Sequence, residues 1–270
     1  MRWTRRRVVL AALASLAAGA AVAAPLAAAF DPVQDGADSR VVLAGGRAYV
    51  LHTPPLLERV PAMAEGRPAM IVLHGIKDTP EHFESVAGFK KYADRDGNLL
   101  AYPEGVRMSF NAGLCCGDAA EYKVDDITFL SNVVSDLKAR GASRISVVGF
   151  SNGGMMAYRL ACERPDLVDT IGVFAGTLEI PHCNGPIKAL HVHGLKDTAV
   201  PFTGERYSKR LRCFLRDVRT IRAAAPGSDI VIQQLAGYPH RWTVAGDRID
   251  ATEEFWKFAG MAGQSIAPTA

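Results

Sequence analysis

A serine held between glycines is the first group of residues in this sequence that could do chemistry. Gly149-Phe150-Ser151-Asn152-Gly153 has the Gly-x-Ser-x-Gly pattern of a nucleophile elbow, a sharp turn that carries a reactive serine from a strand into a helix. The glycines are needed because the strained turn brings neighbouring backbone so close that larger side chains would clash. An apolar run precedes the pattern and helix-forming residues follow it. Ser151 is therefore the candidate nucleophile for acyl transfer.

A serine nucleophile needs a histidine that accepts its proton and an acid that orients the histidine. Where the serine lies in an elbow of this kind, the order along the chain is serine, acid, histidine. Among the later histidines, only His240 lies beyond the last predicted strand, in a turn that can reach the serine. Asp197 alone among the later aspartates follows the carboxyl end of a predicted strand at a suitable distance. We therefore predict a catalytic triad of Ser151, Asp197 and His240.

Acyl transfer also needs hydrogen-bond donors aimed at the oxyanion that forms when the serine attacks. One donor is the backbone amide of Asn152, the residue after the nucleophile. The second is expected in the loop after an earlier strand, and the stretch from Met70 to Ile76 has this form. We place the second donor at the Ile76 amide, with Gly75 as the neighbouring choice. His74, beside them, is expected to organise the loop through hydrogen bonds and not to transfer protons.

Two histidines on one predicted strand could indicate a metal pair. His191 and His193 alternate along the strand and so share a face. No third ligand of suitable spacing lies nearby in the sequence, so a metal site is disfavoured. We predict that buried partners satisfy these histidines, and the sequence predicts no metal and no cofactor.

The elements that must position these residues show an alternating order of strands and helices. Runs of apolar, β-branched residues are typical of strands buried on both faces of a mostly parallel sheet, whose ligands bind at the carboxyl ends of the strands. Helices are predicted from Asp125 to Gly141, from Gly153 to Glu163 and from Ala251 to Phe258. The predicted strands are Ala48 to Leu51, Met70 to Leu73, Leu99 to Tyr102, Ile145 to Phe150, Ile171 to Ala175, Ala189 to His193 and Ile230 to Leu235.

The first 29 residues have the composition of an export signal. They hold four arginines and no acidic residue, followed by an apolar run from Val8 to Val22 and small residues that a signal peptidase accepts. Cleavage after Ala23 and after Ala29 fit equally well. Thr4 to Val9 also resembles a twin-arginine signal, and an uncleaved membrane anchor is the alternative. The sequence therefore predicts a secreted or periplasmic protein with no stable membrane association once the signal is removed.

Composition and charge restrict the rest of the chain. The 270 residues are 49% hydrophobic and 22% charged, which excludes a disordered polymer and a fibrous repeat. The formal charge of +3 becomes −1 without the signal's four arginines, because 27 basic and 28 acidic residues remain. A nucleic-acid partner is therefore not expected. Residues 30–270 contain no linker or repeat and are predicted to form one domain, with loose ends at Asp31 to Asp38 and at the tail from Ala259 to Ala270.

Several blocks of the sequence resemble a known family, the secreted polyhydroxybutyrate depolymerase-like esterases, which are related to feruloyl and acetylxylan esterases. The similarity runs from about Ala69 to Phe258 and implies an α/β-hydrolase fold, with a mostly parallel central sheet flanked by helices. The family's triad corresponds to Ser151, Asp197 and His240. The blocks are Leu73-His74-Gly75, Tyr102-Pro103-Glu104-Gly105, Asn111-Ala112-Gly113-Leu114-Cys115-Cys116-Gly117, Val124-Asp125-Asp126, Gly149 to Met156, His193-Gly194 with Asp197 and Val200-Pro201, and His240 with Trp242.

The resemblance also implies which residues lie beside the substrate. The candidate substrate-binding residues are His74, Phe110, Asn111 and Trp242. The sequence departs from the family at Phe110, where relatives usually carry tryptophan, and in the unusually basic stretch from Tyr207 to Ala225. Both features are expected to border the acyl or alcohol pocket and therefore to affect substrate choice.

Five cysteines in an exported protein favour disulfides. A bridge between the adjacent Cys115 and Cys116 would be strained, so each is expected to pair elsewhere. Cys162 lies on the helix after the elbow and Cys183 on a nearby loop. We expect Cys213 to be the odd thiol, and the sequence leaves the pairing open.

These observations predict a secreted serine ester hydrolase that acts through an acyl-enzyme on short-chain hydroxyalkanoate oligomers or related esters. Its partner is a small-molecule or oligomeric ester. A feruloyl or acetylxylan esterase acting on plant polysaccharide is the alternative within the class. A non-catalytic binding protein with the α/β-hydrolase fold, and an acyltransferase that passes the acyl group to another alcohol, are the alternatives outside it.

Overall fold

The strands predicted from the sequence are all present in a computed structural model, which describes residues 36–59, 61–209 and 211–262. The predicted export signal lies outside the described residues, as does the end of the predicted tail. Among the described residues, no helix is long and apolar enough to cross a membrane. The strands are β1 (Ala37–Val42), β2 (Ala48–Thr53), β3 (Pro68–Leu73), β4 (Leu99–Pro103), β5 (Arg144–Phe150), β6 (Thr170–Phe174), β7 (Lys188–Gly194), β8 (Glu205–Ser208), β9 (Cys213–Leu215) and β10 (Asp229–Leu235).

The helices predicted from capping signals and periodicity are also present. Asp125 caps the helix that begins at Asp126 by accepting a hydrogen bond from the Thr128 amide, and Asp250 caps the last helix in the same way, by accepting from backbone amides of its first turn. Short 3-10 helices span Pro61–Ala64 and Val218–Thr220. The α-helices are α1 (Pro55–Arg59), α2 (Pro80–Ala87), α3 (Lys90–Asp96), α4 (Gly117–Glu121), α5 (Asp126–Ala139), α6 (Asn152–Glu163), α7 (Ile221–Ala224) and α8 (Ala251–Phe258).

The central sheet of the described residues has eight strands in the order β1-β2-β4-β3-β5-β6-β7-β10. All pairs from β4 to β10 are parallel, and β1 and β2 pair antiparallel at one edge. The carboxyl ends of β3, β5, β7 and β10 therefore meet at the same edge of the sheet, as the predicted fold class requires. A separate hairpin of β8 and β9 lies in the stretch between β7 and β10.

Both faces of the sheet are covered, which explains why its strands lack polar alternation. Along β3, Ala69, Ile71 and Leu73 belong to one hydrophobic cluster, and Met70 and Val72 belong to the other. Helices α5 and α6 supply side chains to the first cluster, and α2 and α8 supply side chains to the second. The site is thus held on a sheet packed from two sides.

Both predicted loose ends are partly ordered. Ala37–Val42 forms the edge strand β1, although Asp31 to Asp38 was expected to be loose. The side chains of β1 are mostly exposed, so the sequence has no hydrophobic pattern there from which a strand could be predicted. In the predicted tail, Met261 is buried and its carbonyl accepts a 2.6 Å hydrogen bond from the Asn98 side chain. The remainder of that tail, 263–270, lies outside the described residues.

The expectation that Cys115 and Cys116 pair elsewhere is wrong, because the structure joins them to each other. Their peptide bond is cis, a geometry that sequence spacing does not reveal. Cys162 on α6 pairs with Cys183, and Cys213 is left as a buried free cysteine, as expected.

Thiol counting tests this arrangement. Burial raises the pKa of the Cys213 thiol to about 12, so the folded protein should react very slowly with Ellman's reagent. We expect one thiol per chain after unfolding without reductant, and all five after reduction. Three thiols in the unfolded, unreduced chain would show that one of the two disulfides is absent.

Candidate active site

Ser151 lies in the turn between β5 and α6 and has the strained backbone of a nucleophile elbow, with φ of 53° and ψ of −119°. Its amide donates a 2.8 Å hydrogen bond to the Phe174 carbonyl on the next strand, and its carbonyl accepts one from Met155. A side chain at Gly149 would overlap the Gly153 backbone, and one at Gly153 would overlap the Leu73 carbonyl. The structure therefore requires both glycines of the motif for the steric reason that the sequence indicated.

His240 lies within hydrogen-bond distance of both other residues selected by chain order, Ser151 and Asp197. Nε2 of His240 is 3.0 Å from Ser151 Oγ, and Nδ1 of His240 is 2.6 Å from Asp197 Oδ2. A carboxylate only accepts hydrogen bonds, so Nδ1 carries the proton and Nε2 is free to accept the serine proton. The geometry is that of a serine activated by a base and an orienting acid.

The acid is buried, whereas the base reaches the surface. The Asp197 side chain is fully buried, and the His240 side chain is 18% exposed. Asp197 Oδ1 accepts backbone hydrogen bonds of 2.9 Å from Ala199 and 2.8 Å from Val200. The loop carrying the acid also touches the loop carrying the histidine, since the Lys196 amide donates to the Tyr238 carbonyl at 2.9 Å. These contacts hold the carboxylate against the imidazole.

The two predicted oxyanion donors belong to segments next to Ser151: Asn152 follows it directly, and Ile76 lies in the loop after β3. Asn152 is the first residue of α6, where helix amides point outward and favour negative charge. A side chain added at Gly75, next to Ile76, would contact Ser151 Cβ at 3.7 Å, so this loop passes close to the nucleophile. The Asn152 side chain forms a pair of bonds with the Phe110 backbone, at 2.8 Å to its amide and 2.9 Å to its carbonyl. That pair was not foreseen from the sequence, which used only the Asn152 amide.

The four candidate substrate-binding side chains are all buried. His74 is buried, with Nδ1 2.7 Å from the Gly75 carbonyl and Nε2 accepting from the Gly105 amide at 3.1 Å. Burial lowers the pKa of His74, in keeping with its expected role in organising the loop. Phe110 is fully buried, and the Asn111 side chain donates to the Val124 carbonyl and accepts from the Gly113 amide. Trp242 packs edge-on against Phe83 in the second hydrophobic cluster.

Asp126 is a supporting residue whose role the sequence did not reveal. Its buried carboxylate accepts a 2.7 Å bond from the Asn111 amide and a 2.8 Å bond from Arg47. Burial raises the pKa of Asp126, although both partners oppose the shift. The sequence feature that could have revealed this role is the acidic pair at the start of α5. Asp125 caps the helix, so the Asp126 carboxylate is available to bind the loop that precedes it.

A cavity of about 370 Å³ lies beside the Cys115–Cys116 disulfide. One wall residue, Cys116, contacts Met155 on the first turn of α6, with their sulfur atoms 3.6 Å apart. The cavity therefore borders the helix that begins at the elbow. It is lined by Gly113, Leu114, Cys116, Gly117, Ala120, Glu121, Leu211, Arg212 and Cys213.

Among the described residues, one cluster of three side chains is close enough together to bind a metal ion. The sulfur atoms of Cys115, Cys116 and Cys213 lie within 4.8 Å of one another. Two of the three are joined in a disulfide and so do not offer thiolates. His191 and His193, considered above as a metal pair, are buried and hydrogen-bonded to protein partners, as predicted.

Buried neutral histidines should make the fold sensitive to acid. Burial lowers the pKa of His193 and holds that of His191 well below its usual value, so the unfolded chain binds protons that the folded chain does not. The free energy of unfolding should therefore fall below about pH 6.5, by at most about 1.4 kcal/mol per pH unit for each such histidine. Urea unfolding between about pH 7.5 and about pH 5 measures this slope. A His191→Gln variant should have a shallower slope, and an unchanged slope would contradict the assignment.

The sheet order and the strand-turn-helix elbow define the class: the protein has the α/β-hydrolase fold. Esterase 2 of Thermogutta terrifontis, solved phosphonylated by cyclosarin, matches it with a TM-score of 0.58 and 15% sequence identity, over 86% of this chain and 97% of the other. At that identity the likeness concerns the fold alone. No protein-family model matches the chain.

The sequence relatives are named as esterases. "Putative esterase NocK" of Nocardia uniformis subsp. tsuyamanensis is 39% identical over 185 residues, which are 64% of this chain and 52% of NocK. Feruloyl esterase C of Emericella nidulans is 37% identical over 87 residues, which are 30% of this chain and 32% of that enzyme. The chain thus spans about half the length of the first relative and about a third of the second.

Proposed function

We propose that this protein is a serine carboxylic-ester hydrolase. The observation that carries the proposal is the pair of hydrogen bonds around His240, which links Ser151 Oγ to the buried Asp197 carboxylate. Such an arrangement can remove the serine proton during attack on an ester and return it to the leaving alcohol. The names of the sequence relatives support esters as the substrate class.

The reaction follows in two halves. Ser151 Oγ bonds to the ester carbonyl carbon while His240 Nε2 takes the hydroxyl proton, and the backbone amides of Asn152 and Ile76 hold the oxyanion. The carbon–oxygen bond of the ester then breaks, and His240 gives its proton to the departing alcohol. In the second half, His240 deprotonates a water molecule that attacks the acyl-enzyme. Collapse of that intermediate returns the proton to Ser151 and releases the carboxylic acid.

A fluorophosphonate probe tests the proposal directly, because it reacts covalently with an activated serine. The folded protein should be labelled, and a Ser151→Ala variant should not. Absence of labelling in the folded wild-type protein would overturn the proposal and favour a non-catalytic binding protein. Product analysis with an added alcohol separates hydrolysis, which yields free acid, from acyl transfer, which yields a new ester.

For the substrate we propose short-chain hydroxyalkanoate oligomers of the polyhydroxybutyrate type. This choice is supported by the resemblance of the Cys115-Cys116-Gly117 block and its neighbouring blocks to the polyhydroxybutyrate depolymerase-like esterases. The likeness to feruloyl esterase C favours hydroxycinnamoyl esters of plant polysaccharide as the second candidate. Rates on 3-hydroxybutyrate oligomers, methyl ferulate and p-nitrophenyl acetate, measured side by side, decide between them. Faster cleavage of methyl ferulate than of the oligomers would overturn the first choice.

We also place the protein outside the cytoplasm, in a secreted or periplasmic form. The arginine-led apolar segment at residues 1–29 supports export, and so do the two disulfides among the described cysteines. Mass spectrometry of the protein recovered from culture medium or periplasm should find a chain that begins after Ala23 or Ala29. Recovery of the intact chain in the membrane fraction would instead support an uncleaved anchor.

A further inference from the structure

Three buried polar side chains form a hydrogen-bonded chain that the reaction above does not use. The Tyr158 hydroxyl on α6 lies 3.0 Å from His191 Nδ1 on β7. His191 Nε2 lies 3.1 Å from His193 Nδ1, and the two rings are nearly parallel, at 6°. His193 Nε2 lies 2.7 Å from the Val200 carbonyl oxygen. All three side chains are buried.

The Val200 carbonyl, at the end of this hydrogen-bonded series, fixes which group donates in each of its hydrogen bonds. A carbonyl oxygen only accepts, so His193 Nε2 must carry a proton and donate it to Val200. Burial lowers the pKa of both histidines, so each is neutral near pH 7 and carries one ring proton. His193 Nδ1 is therefore an acceptor for His191 Nε2–H, and His191 Nδ1 is an acceptor for the Tyr158 hydroxyl. All the donors point the same way, toward the loop that carries Asp197.

Val200 joins the chain to the catalytic acid. Its carbonyl accepts from His193, and its amide donates the 2.8 Å bond to Asp197 Oδ1. Both backbone groups of this residue are thus held by hydrogen bonds. His193 Nε2 also lies 3.5 Å from Asp197 Oδ2, the oxygen that bonds to His240. The positive end of the aligned donors therefore faces a fully buried carboxylate, where unscreened dipoles have their largest effect.

We infer that His193 is a positioning residue for Asp197, and that Tyr158 and His191 hold it in the ring form that donates from Nε2. The inference rests on the proposed ester hydrolysis and deepens it. His193 acts on the reaction through Val200 and Asp197 and does not touch the substrate. Losing it should leave substrate binding intact and lower the rate of the chemical step.

Substitutions at His193 distinguish the effect of losing its hydrogen-bond donor from the effect of losing its side-chain packing. His193→Leu keeps an apolar side chain of similar bulk but has no donor, and it should lower kcat about 10- to 100-fold with KM unchanged, the scale of one hydrogen bond near a charged group. His193→Gln carries both an N–H donor and an oxygen acceptor and should recover most of that loss. Tyr158→Phe removes one hydroxyl at the far end and should lower kcat about fivefold, the effect of one weakened hydrogen bond.

Rates must be divided by the number of active sites, counted by complete fluorophosphonate labelling. A purely structural role would reduce the amount of active protein but not kcat per labelled site. Tyr49→Phe is a matched control. Tyr49 is a buried tyrosine whose hydroxyl bonds to Asp136, and neither residue belongs to the hydrogen-bonded series of Tyr158, His191 and His193. Its kcat per site should equal that of the wild type. Equal kcat per site in His193→Leu and the wild type would overturn the inference.

Nitrogen-15 NMR of the imidazoles gives a test that does not depend on activity. In the wild type, both His191 and His193 should show a protonated Nε2 and an unprotonated Nδ1. In Tyr158→Phe, the His191 signals should move toward a mixture of the two ring forms. A protonated Nδ1 on either histidine of the wild type would overturn the inference. If the wild type fails to hydrolyse esters and resists labelling but shows the expected ring forms, the proposed function fails while the hydrogen-bond directions stand.

Discussion

Replacing Ser151 by alanine should abolish ester hydrolysis while leaving the fold unchanged. We expect kcat on p-nitrophenyl acetate to fall by about six orders of magnitude, the scale seen when the nucleophile of a protease triad is removed. The reason is that Ser151 Oγ is the atom that His240 Nε2 faces at 3.0 Å, so without it the base has no nucleophile to activate. Residual turnover would come from water attacking a bound ester near the oxyanion donors.

Ser146→Ala provides the matched control for this experiment. Ser146 is a buried serine on β5, the same strand that ends in the elbow, and it lies outside the triad. Its replacement should leave kcat unchanged, and circular dichroism should show that both variants are folded. Activity of the Ser151 variant above about one part in a thousand of wild type would place the nucleophile elsewhere.

Replacing Asp197 by asparagine should lower kcat about 10⁴-fold, the scale seen for the same exchange in a serine protease. The structure shows why a change of so few atoms costs so much. Asp197 Oδ1 accepts two backbone amides, so the single oxygen of asparagine is held there and its NH₂ group must face His240. An NH₂ donor requires Nδ1 of His240 to be the acceptor, which puts the proton on Nε2. That ring form cannot accept the proton of Ser151.

The control for the acid is Asp166→Asn. Asp166 follows the helix after the elbow and pairs with Arg164 at the surface, where such pairs contribute little. This variant should keep the wild-type kcat and KM. If Asp197→Asn retained more than about a tenth of wild-type activity, another group would have to orient His240.

The sequence was most informative where local pattern and chain order carry the chemistry. A strand, a serine between glycines and a helix are adjacent in the sequence, so their geometry can be read directly. The central strands were recognised because both of their faces are buried and their residues are continuously apolar. The edge strand β1 and the hairpin of β8 and β9 were missed, since short or exposed strands carry no such pattern.

Side-chain environments were harder to predict, because they depend on residues far apart in the sequence. Phe110 and Trp242, which the resemblance places beside the substrate, are both buried in the structure. The Phe110 side chain lies in the first hydrophobic cluster and the Trp242 side chain in the second, with α2 and α8. The Cys115–Cys116 disulfide joins two adjacent residues, a pairing that the spacing of the cysteines disfavoured.

The sequence by itself determined the fold class and selected Ser151, Asp197 and His240, because a sheet with a fixed strand order allows few positions for an acid and a base after an elbow. Only the tertiary structure decided what holds the acid. Parallel pairing of β6 with β7 and the packing of α6 against β6 bring the Tyr158 hydroxyl to His191. The hydrogen-bonded series then continues through His193 and ends at the Val200 carbonyl. Hydrogen bonds between distant residues depend on distances of a few tenths of an ångström, and those distances exist only once the layers have packed.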